Sequence, residues 1–248
     1  MQEFILPFGI FLTGIATGLV DSTVGSGGLI SIPMLIFLGL PPQIAIATDR
    51  FGVIGGVIGS LLKFWKAKKI LWQYVPLFSL IAIIGGYIGA NLLIKIKPDN
   101  LEKIIGIILL LTIPLLFLKT HLGITRMTVG IGKKIVGSII FFILMVYNGF
   151  LGTGVGPLVT YNSLHFFGFT ILESNATKII PWLLYSIISF AIFMQHGFVD
   201  FSKGLNLIAG MFIGGYIGTH TLIKIGDAWV KRLFIAIVII SAIKLLFF

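Results

Sequence analysis

Apolar positions along the chain fall in long stretches, at about 4–20, 29–40, 43–62, 72–94, 101–118, 135–147, 157–169, 179–195, 205–223 and 229–247, with polar residues gathered between them. Roughly 20 apolar residues, rising about 1.5 Å each, cross the ~30 Å of hydrocarbon in a bilayer, so most of these stretches predict membrane-spanning helices. Those at 29–40 and 157–169 are too short to cross unaided. The pattern predicts an all-α polytopic membrane protein of about eight transmembrane helices with further broken or re-entrant pieces. No room is left for a sizeable soluble domain, so function is expected inside the membrane.

The segment from 4 to 40 is too long for one crossing, and it is interrupted by VDSTVGSGGLISIP, Val20 to Pro33. Non-helical backbone at membrane depth is tolerated only where protein or a water-filled cavity satisfies it, so this glycine segment is predicted to line a cavity. A second interruption, NGFLGTGVGP, spans 148–157. Glycine permits the turn and lets a ligand approach bare backbone. The residues that follow resemble helix starts, with Ser26 as N-cap in the first and Pro157 at the first helical position in the second. Helix N-termini carry free N–H groups and about half a positive charge, which suits anions. Two such half-helices meeting near the midplane would cage a small oxyanion in backbone donors.

The chain also repeats itself. GSGGLISIPMLIFLGLPPQIAIAT (25–48) aligns without a gap on GVGPLVTYNSLHFFGFTILESNAT (154–177), an offset of 154 − 25 = 129. The same offset carries GGYIGANLLIKI (85–96) onto GGYIGTHTLIKI (214–225), since 214 − 85 = 129. Two matches at one offset predict a first repeat at 1–118, a linker at 119–134 and a second repeat at 135–248. Internal duplication marks many secondary transporters, which bind substrate where the repeats meet. The pattern leaves open whether the copies are parallel or inverted.

Composition agrees, with 57% of residues hydrophobic and 10% charged. The start, MQEFILPFGI, has no basic leader segment and reads as a retained first helix. With no cysteine, disulfides and thiolate chemistry are excluded. The net charge of +10 comes from 18 Lys and Arg scattered in short clusters between apolar runs, a pattern of membrane orientation and not of nucleic-acid binding. The densest clusters, at 63–69 and 119–134, are expected on the cytoplasmic side of the cell membrane.

Charges inside the spans are the second clue. IATDRFG places Asp49 and Arg50 in an apolar run, and NATKIIP places Lys178 at the counterpart of Asp49 (49 + 129 = 178). An intramembrane charge costs at least ~2.5 kcal/mol, so it points to substrate or coupling work unless it is spent on a structural pair or snorkels from a helix end. Asp21 has the same two readings: bracing the broken helix, or carrying a coupling proton. The candidate substrate-binding set is Ser22, Thr23, Gly25, Ser26, Gly27, Gly28, Thr48, Arg50, Asn148, Thr153, Gly154, Gly156, Thr177 and Lys178, with Asp21 and Asp49 as coupling or structural residues. Gly55/Gly59, Gly85/Gly89 and Gly214/Gly218 lie in unbroken apolar runs and are assigned to close helix packing. His121, His165, His196 and His220 show no metal spacing, and nothing in the chain calls for a cofactor. Trp65, Trp72 and Trp182 are expected at the membrane interface.

GLVDSTVGSGGLISIPMLIFLGLPPQIAIAT, YNGFLGTGVG and the two GGYIG segments together resemble the TauE/SafE family, the sulfite exporter family of membrane permeases. The resemblance covers both halves. It implies a helical bundle that exports small anions such as sulfite, sulfonates such as sulfoacetate, or small organic acids, driven by a proton or other ion gradient. The implied partners are that anion, the coupling ion and the lipid bilayer; the oligomeric state, a homodimer included, is left open. Where the family commonly carries a neutral polar residue and Lys after its first Ala-Thr pair, this chain has Asp49 and Arg50. Two other readings are weighed. VGSG at 24–27 is similar to an intramembrane serine protease motif, but Val24 stands where that motif has glycine. A passive anion channel has no opposing feature in the sequence.

Overall fold

The computed structural model describes the backbone of residues 2–96, 123 and 125–247, and the side chains among these from 6 to 225. The apolar stretch 101–118 and residues 119–122 and 124 of the linker, His121 among them, lie outside the described residues. The described residues form eight helices: α1 Gln2–Thr23, α2 Gly28–Phe37, α3 Pro42–Lys66, α4 Val75–Lys95, α5 Ile131–Phe150, α6 Val155–Phe167, α7 Ile171–Gln195 and α8 Phe201–Phe247. Five are long and apolar enough to cross a membrane: α3, α4, α5, α7 and the Leu6–Thr23 part of α1. The stretches 205–223 and 229–247, read apart in the sequence, belong to the single helix α8, because no proline stands between them to stop it.

Both predicted interruptions are real breaks, at 24–27 between α1 and α2 and at 151–154 between α5 and α6. Each is a hairpin and not a kink. Asn162 of α6 donates to the Gly137 carbonyl early in α5 at 3.1 Å, so α6 folds back along α5. Gly27, at the start of α2, packs against Thr17 of α1. The capping glycines permit these reversals: left-handed backbone occurs at Gly25 (φ 78°) and Gly154 (φ 71°) in the breaks, and at Gly39 (φ 85°) and Gly168 (φ 72°) after α2 and α6. Those two pairs, and Lys68 with Gly197 after α3 and α7, are each 129 residues apart (25 + 129 = 154; 39 + 129 = 168; 68 + 129 = 197).

Helices α3 and α7 share boundaries at the same offset (42 + 129 = 171; 66 + 129 = 195) yet run antiparallel. Phe51, near the start of α3, stacks on Phe190, near the end of α7, at 4.9 Å between ring centroids. Each helix pair around this centre crosses the sequence halves. Helix α1 lies parallel to α8, with Gly14 and Gly18 against the backbone of 207–215 and Gly214 and Gly218 against Ile15 and Leu19. Helix α5 lies parallel to α4, with Gly85 and Gly89 against the 145–150 backbone. Helix α3 joins the first pair through Gly55 and Gly59, which meet carbonyls of α8, and α7 joins the second, with Gly86 against Tyr185. The helices therefore group in space as α1, α3 and α8 on one side and α5, α7 and α4 on the other. The assigned glycine pairs do pack backbone on backbone, the usual small-residue solution in lipid.

Candidate functional site

The two breaks cross each other. A β-carbon on Gly25 would stand 2.8 Å from Cα of Gly156, and one on Gly156 would collide with the Gly25 backbone, so only glycine fits at either position. Gly28 meets the methyl of Thr153 and the Gly152 carbonyl, completing the contact between 25–28 and 152–156. The two helix turns thus touch at the centre of the bundle, with no side chain between them.

Each break also receives a cation from the helix behind the other break. Arg50 of α3, 1% exposed, reaches the second one. Its Nη2 donates to the Leu151 carbonyl at 3.0 Å, satisfying an orphan acceptor at the end of α5. Nη1 donates to the Tyr185 hydroxyl at 3.2 Å and lies 3.5 Å from Oδ2 of Asp49. The guanidinium fills the space that a Gly152 side chain would take. Asp49 is occupied in turn, its Oδ1 accepting from the Ser31 hydroxyl. The pair is buried and tied to Ser31, Leu151 and Tyr185, which makes it a structural unit, although Asp49 Oδ2 and Arg50 Nε have no hydrogen-bond partner among the described residues.

Lys178 of α7 reaches the first break and behaves differently. Its Nζ stands 2.9 Å from where a Gly25 β-carbon would be, beside the Gly25–Gly156 crossing. It lies over the Trp182 ring at 5.5 Å but has no hydrogen-bond acceptor among the described residues, although it is 5% exposed. Unpaired buried ammonium groups are costly, and their retention points to a ligand. The Ser26 hydroxyl and both polar atoms of the Asn148 side chain are buried and also without partners among the described residues.

The half-helix starts differ from expectation. Helix α2 begins at Gly28 with Gly27 as N-cap and no side-chain cap; Ser26 does not cap it. Instead the Gly27 N–H donates to Asp21 Oδ1 at 3.1 Å, so a carboxylate of the protein already sits at this N-terminus. Helix α6 begins at Val155, two residues before Pro157, with left-handed Gly154 as N-cap and no capping side chain. The second break is closed from the side by Tyr147, whose hydroxyl donates to the Thr153 carbonyl at 2.9 Å.

Other candidates are spent locally. The hydroxyls of Ser22 and Thr23 donate to the Leu19 carbonyl of their own helix, at 3.0 and 2.8 Å. Thr48 and Thr177 accept from backbone N–H groups of inter-helix connections. His165 stacks on Tyr161 away from the crossing. Trp65 and Trp72 are exposed, but Trp182, expected at the interface, is 3% exposed and packs beside Lys178. It and Tyr185 are site residues that composition alone does not reveal. Their spacing from Lys178, four and seven residues on a helix, puts all three on one face.

A family model described as "Sulfite exporter TauE/SafE" matches residues 10–245. The chain is similar to a "Probable membrane transporter protein" of Haemophilus influenzae, 24% identical over 96% of this chain and 93% of that one. It is similar to "Probable membrane transporter protein ORF9" of a Sinorhizobium species, 28% identical over 96% of this chain and 91% of that one. "Probable membrane transporter protein YfcA" of Escherichia coli K12 is 24% identical over 96% of this chain and 88% of its own length. No solved structure matches.

Proposed function

The chain belongs to the sulfite exporter TauE/SafE family, a multi-pass membrane transporter family and not an enzyme family, and we propose that it moves one small anion at a time through the crossing of the two helix breaks. The observation that carries this reading is the Lys178 ammonium, buried beside Gly25 and Gly156 without a hydrogen-bond acceptor among the described residues. Beside it the α6 N-terminus is uncapped, whereas Asp21 occupies that of α2 and Arg50 is consumed by Leu151, Tyr185 and Asp49. Charge at low dielectric attracts any anion, and directed N–H groups select oxygen geometry, so sulfite, sulfonates and small carboxylates are the substrate class.

Two inverted copies, one at 1–118 and one at 135–248 joined by 119–134, give such a site a route to alternating access. The shared helix boundaries and left-handed positions at an offset of 129, on antiparallel α3 and α7, support that reading. The ionisable groups around the crossing, Asp21, Asp49, Arg50 and Lys178, sum to zero. An entering anion leaves one uncompensated negative charge, which a co-moving proton would neutralise; Asp21, held by one backbone N–H, is the acid left to carry it.

Counterflow in proteoliposomes over a panel of sulfur oxyanions and carboxylates tests the proposal. The expected result is trans-stimulated exchange of at least one of these anions, reduced tenfold or more in Lys178→Gln. Flux without trans-stimulation would instead mark a passive channel, and wild-type exchange by Lys178→Gln would overturn the site.

A further inference from the structure

Two hydrogen bonds between a helix and a connection are copies of each other. The backbone N–H of Leu71 donates to the Thr177 hydroxyl at 3.1 Å, and that of Asp200 donates to the Thr48 hydroxyl at 3.0 Å. Corresponding members of the two pairs are 129 residues apart (48 + 129 = 177; 71 + 129 = 200). The connection 67–74 leaves the end of α3 and ties to α7, while the connection 196–200 leaves the end of α7 and ties to α3. Because α3 and α7 are antiparallel, the two ties stand at opposite ends of the central pair.

Both threonines are fully buried and directly precede the charged residues of the crossing, Asp49 with Arg50 in one helix and Lys178 in the other. The connections themselves fold inward: Ile70 is buried, and Phe198 and Val199 pack on the core. Each connection lies across one end of the central α3–α7 pair, and one threonine hydroxyl fastens it there.

We propose that Thr48 and Thr177 are positioning residues that latch opposite ends of the transport path, so that opening to one side releases one latch while the other holds. The inference rests on the alternating-access reading above. Here both ties are formed, so both ends are fastened. A hydrogen bond of this kind contributes about 0.5–1.5 kcal/mol, which moves a two-state equilibrium by up to roughly tenfold. That is enough to bias the exposed side without unfolding either connection. The adjacency of each latch to its charge links occupancy of the crossing to the latches through a single helical turn.

The chain has no cysteine, so a single Ser26→Cys reports on the crossing without background. Its labelling by a membrane-impermeant maleimide is measured in right-side-out and inside-out vesicles, with no substrate present. Thr177→Val is expected to raise the labelling rate about three- to tenfold from one side only, Thr48→Val from the other side only, and Thr→Ser at either position to restore the parent rate. Should a valine variant fail to accumulate in the membrane, Thr→Ala at the same position replaces it with the same expectation. Increases from the same side for both variants, or no change in either, would overturn the latches. So would a Ser26→Cys protein labelled from neither side in any background. Since no anion is used, a failed counterflow assay with opposite labelling shifts would refute the transport reading while leaving the latches intact.

Discussion

The two helix breaks meet across bare glycine, yet they are finished with opposite chemistry. At the first, an internal carboxylate, Asp21, caps the returning helix, and the cation that arrives, Lys178, lies over Trp182 with no hydrogen-bond acceptor among the described residues. At the second, the returning helix α6 has no capping side chain, and the cation that arrives, Arg50, is bound to the Leu151 carbonyl, the Tyr185 hydroxyl and Asp49. One break therefore has an anchored cation and an open helix end, the other a free cation and an occupied helix end. Lys178 and the α6 N-terminus are brought together where Gly25 touches Gly156, so this asymmetry is what singles out one place for the proposed anion site.

The largest expected effect tests whether Arg50 is structural. Arg50→Gln should destabilise the protein by about 3–5 kcal/mol, because it strands the buried Asp49 carboxylate; thermal unfolding in detergent would show it. Lys178→Gln should unfold at or above the wild-type temperature, since it removes an unpaired buried charge, and should instead lose tenfold or more in anion affinity. Equal stability losses in both variants would erase the distinction drawn between the two cations.

An intermediate effect tests the fit of the guanidinium into the second break. Gly152→Ala should cost about 1–3 kcal/mol by forcing Arg50 aside. In an Arg50→Ala background the same change should cost less, leaving the about 1–2 kcal/mol of a side chain at φ 71°, with a coupling of roughly 0.5–3 kcal/mol in a double-mutant cycle. Additive losses would mean that the glycine serves only the turn.

The smallest effect separates the two acids. Asp21→Asn keeps an acceptor for the Gly27 N–H but removes the charge, so stability should change by less than about 1.5 kcal/mol. If Asp21 takes up the proton that accompanies the anion, wild-type binding should strengthen as pH falls and Asp21→Asn should bind with a flattened pH profile. Asp49→Asn should keep the wild-type profile while losing stability, because Asp49 is committed to Arg50 and Ser31. A pH-dye assay of counterflow in the two variants reads both outcomes.

Much of this arrangement was legible in the sequence, and the reasons for the gaps are specific. Glycine runs inside spans too long for one helix announce both breaks, and two alignments share an offset of 129 that recurs in the bounds of α3 and α7. The charges at 49, 50 and 178 stand out because the bilayer makes them expensive. That Arg50 serves the break of the other half was not legible, since it depends on α3 and α7 running antiparallel, and periodicity carries no direction. The bonds of Thr48 and Thr177 to backbone N–H groups of the connections were not legible either, since such partners leave no mark in side-chain identity. The helix starts at Gly28 and Val155 were displaced from Ser26 and Pro157 because glycines in the breaks accept cap geometry without any capping side chain.

The pairing of α1 with α8 has a consequence for how the protein is made. Helix α1 carries Gly14 and Gly18 on a face whose partner, at 207–215, is synthesised some two hundred residues later. At a synthesis rate of about 5–20 residues per second, that face waits ten seconds or more beside lipid or a chaperone. Helix α4 meets its first partner, α5, far sooner. A nascent chain stalled before residue 200 should therefore hold a protease-resistant α4–α5 pair while α1 remains open to crosslinking with the insertion machinery, and release of α1 should coincide with the arrival of α8.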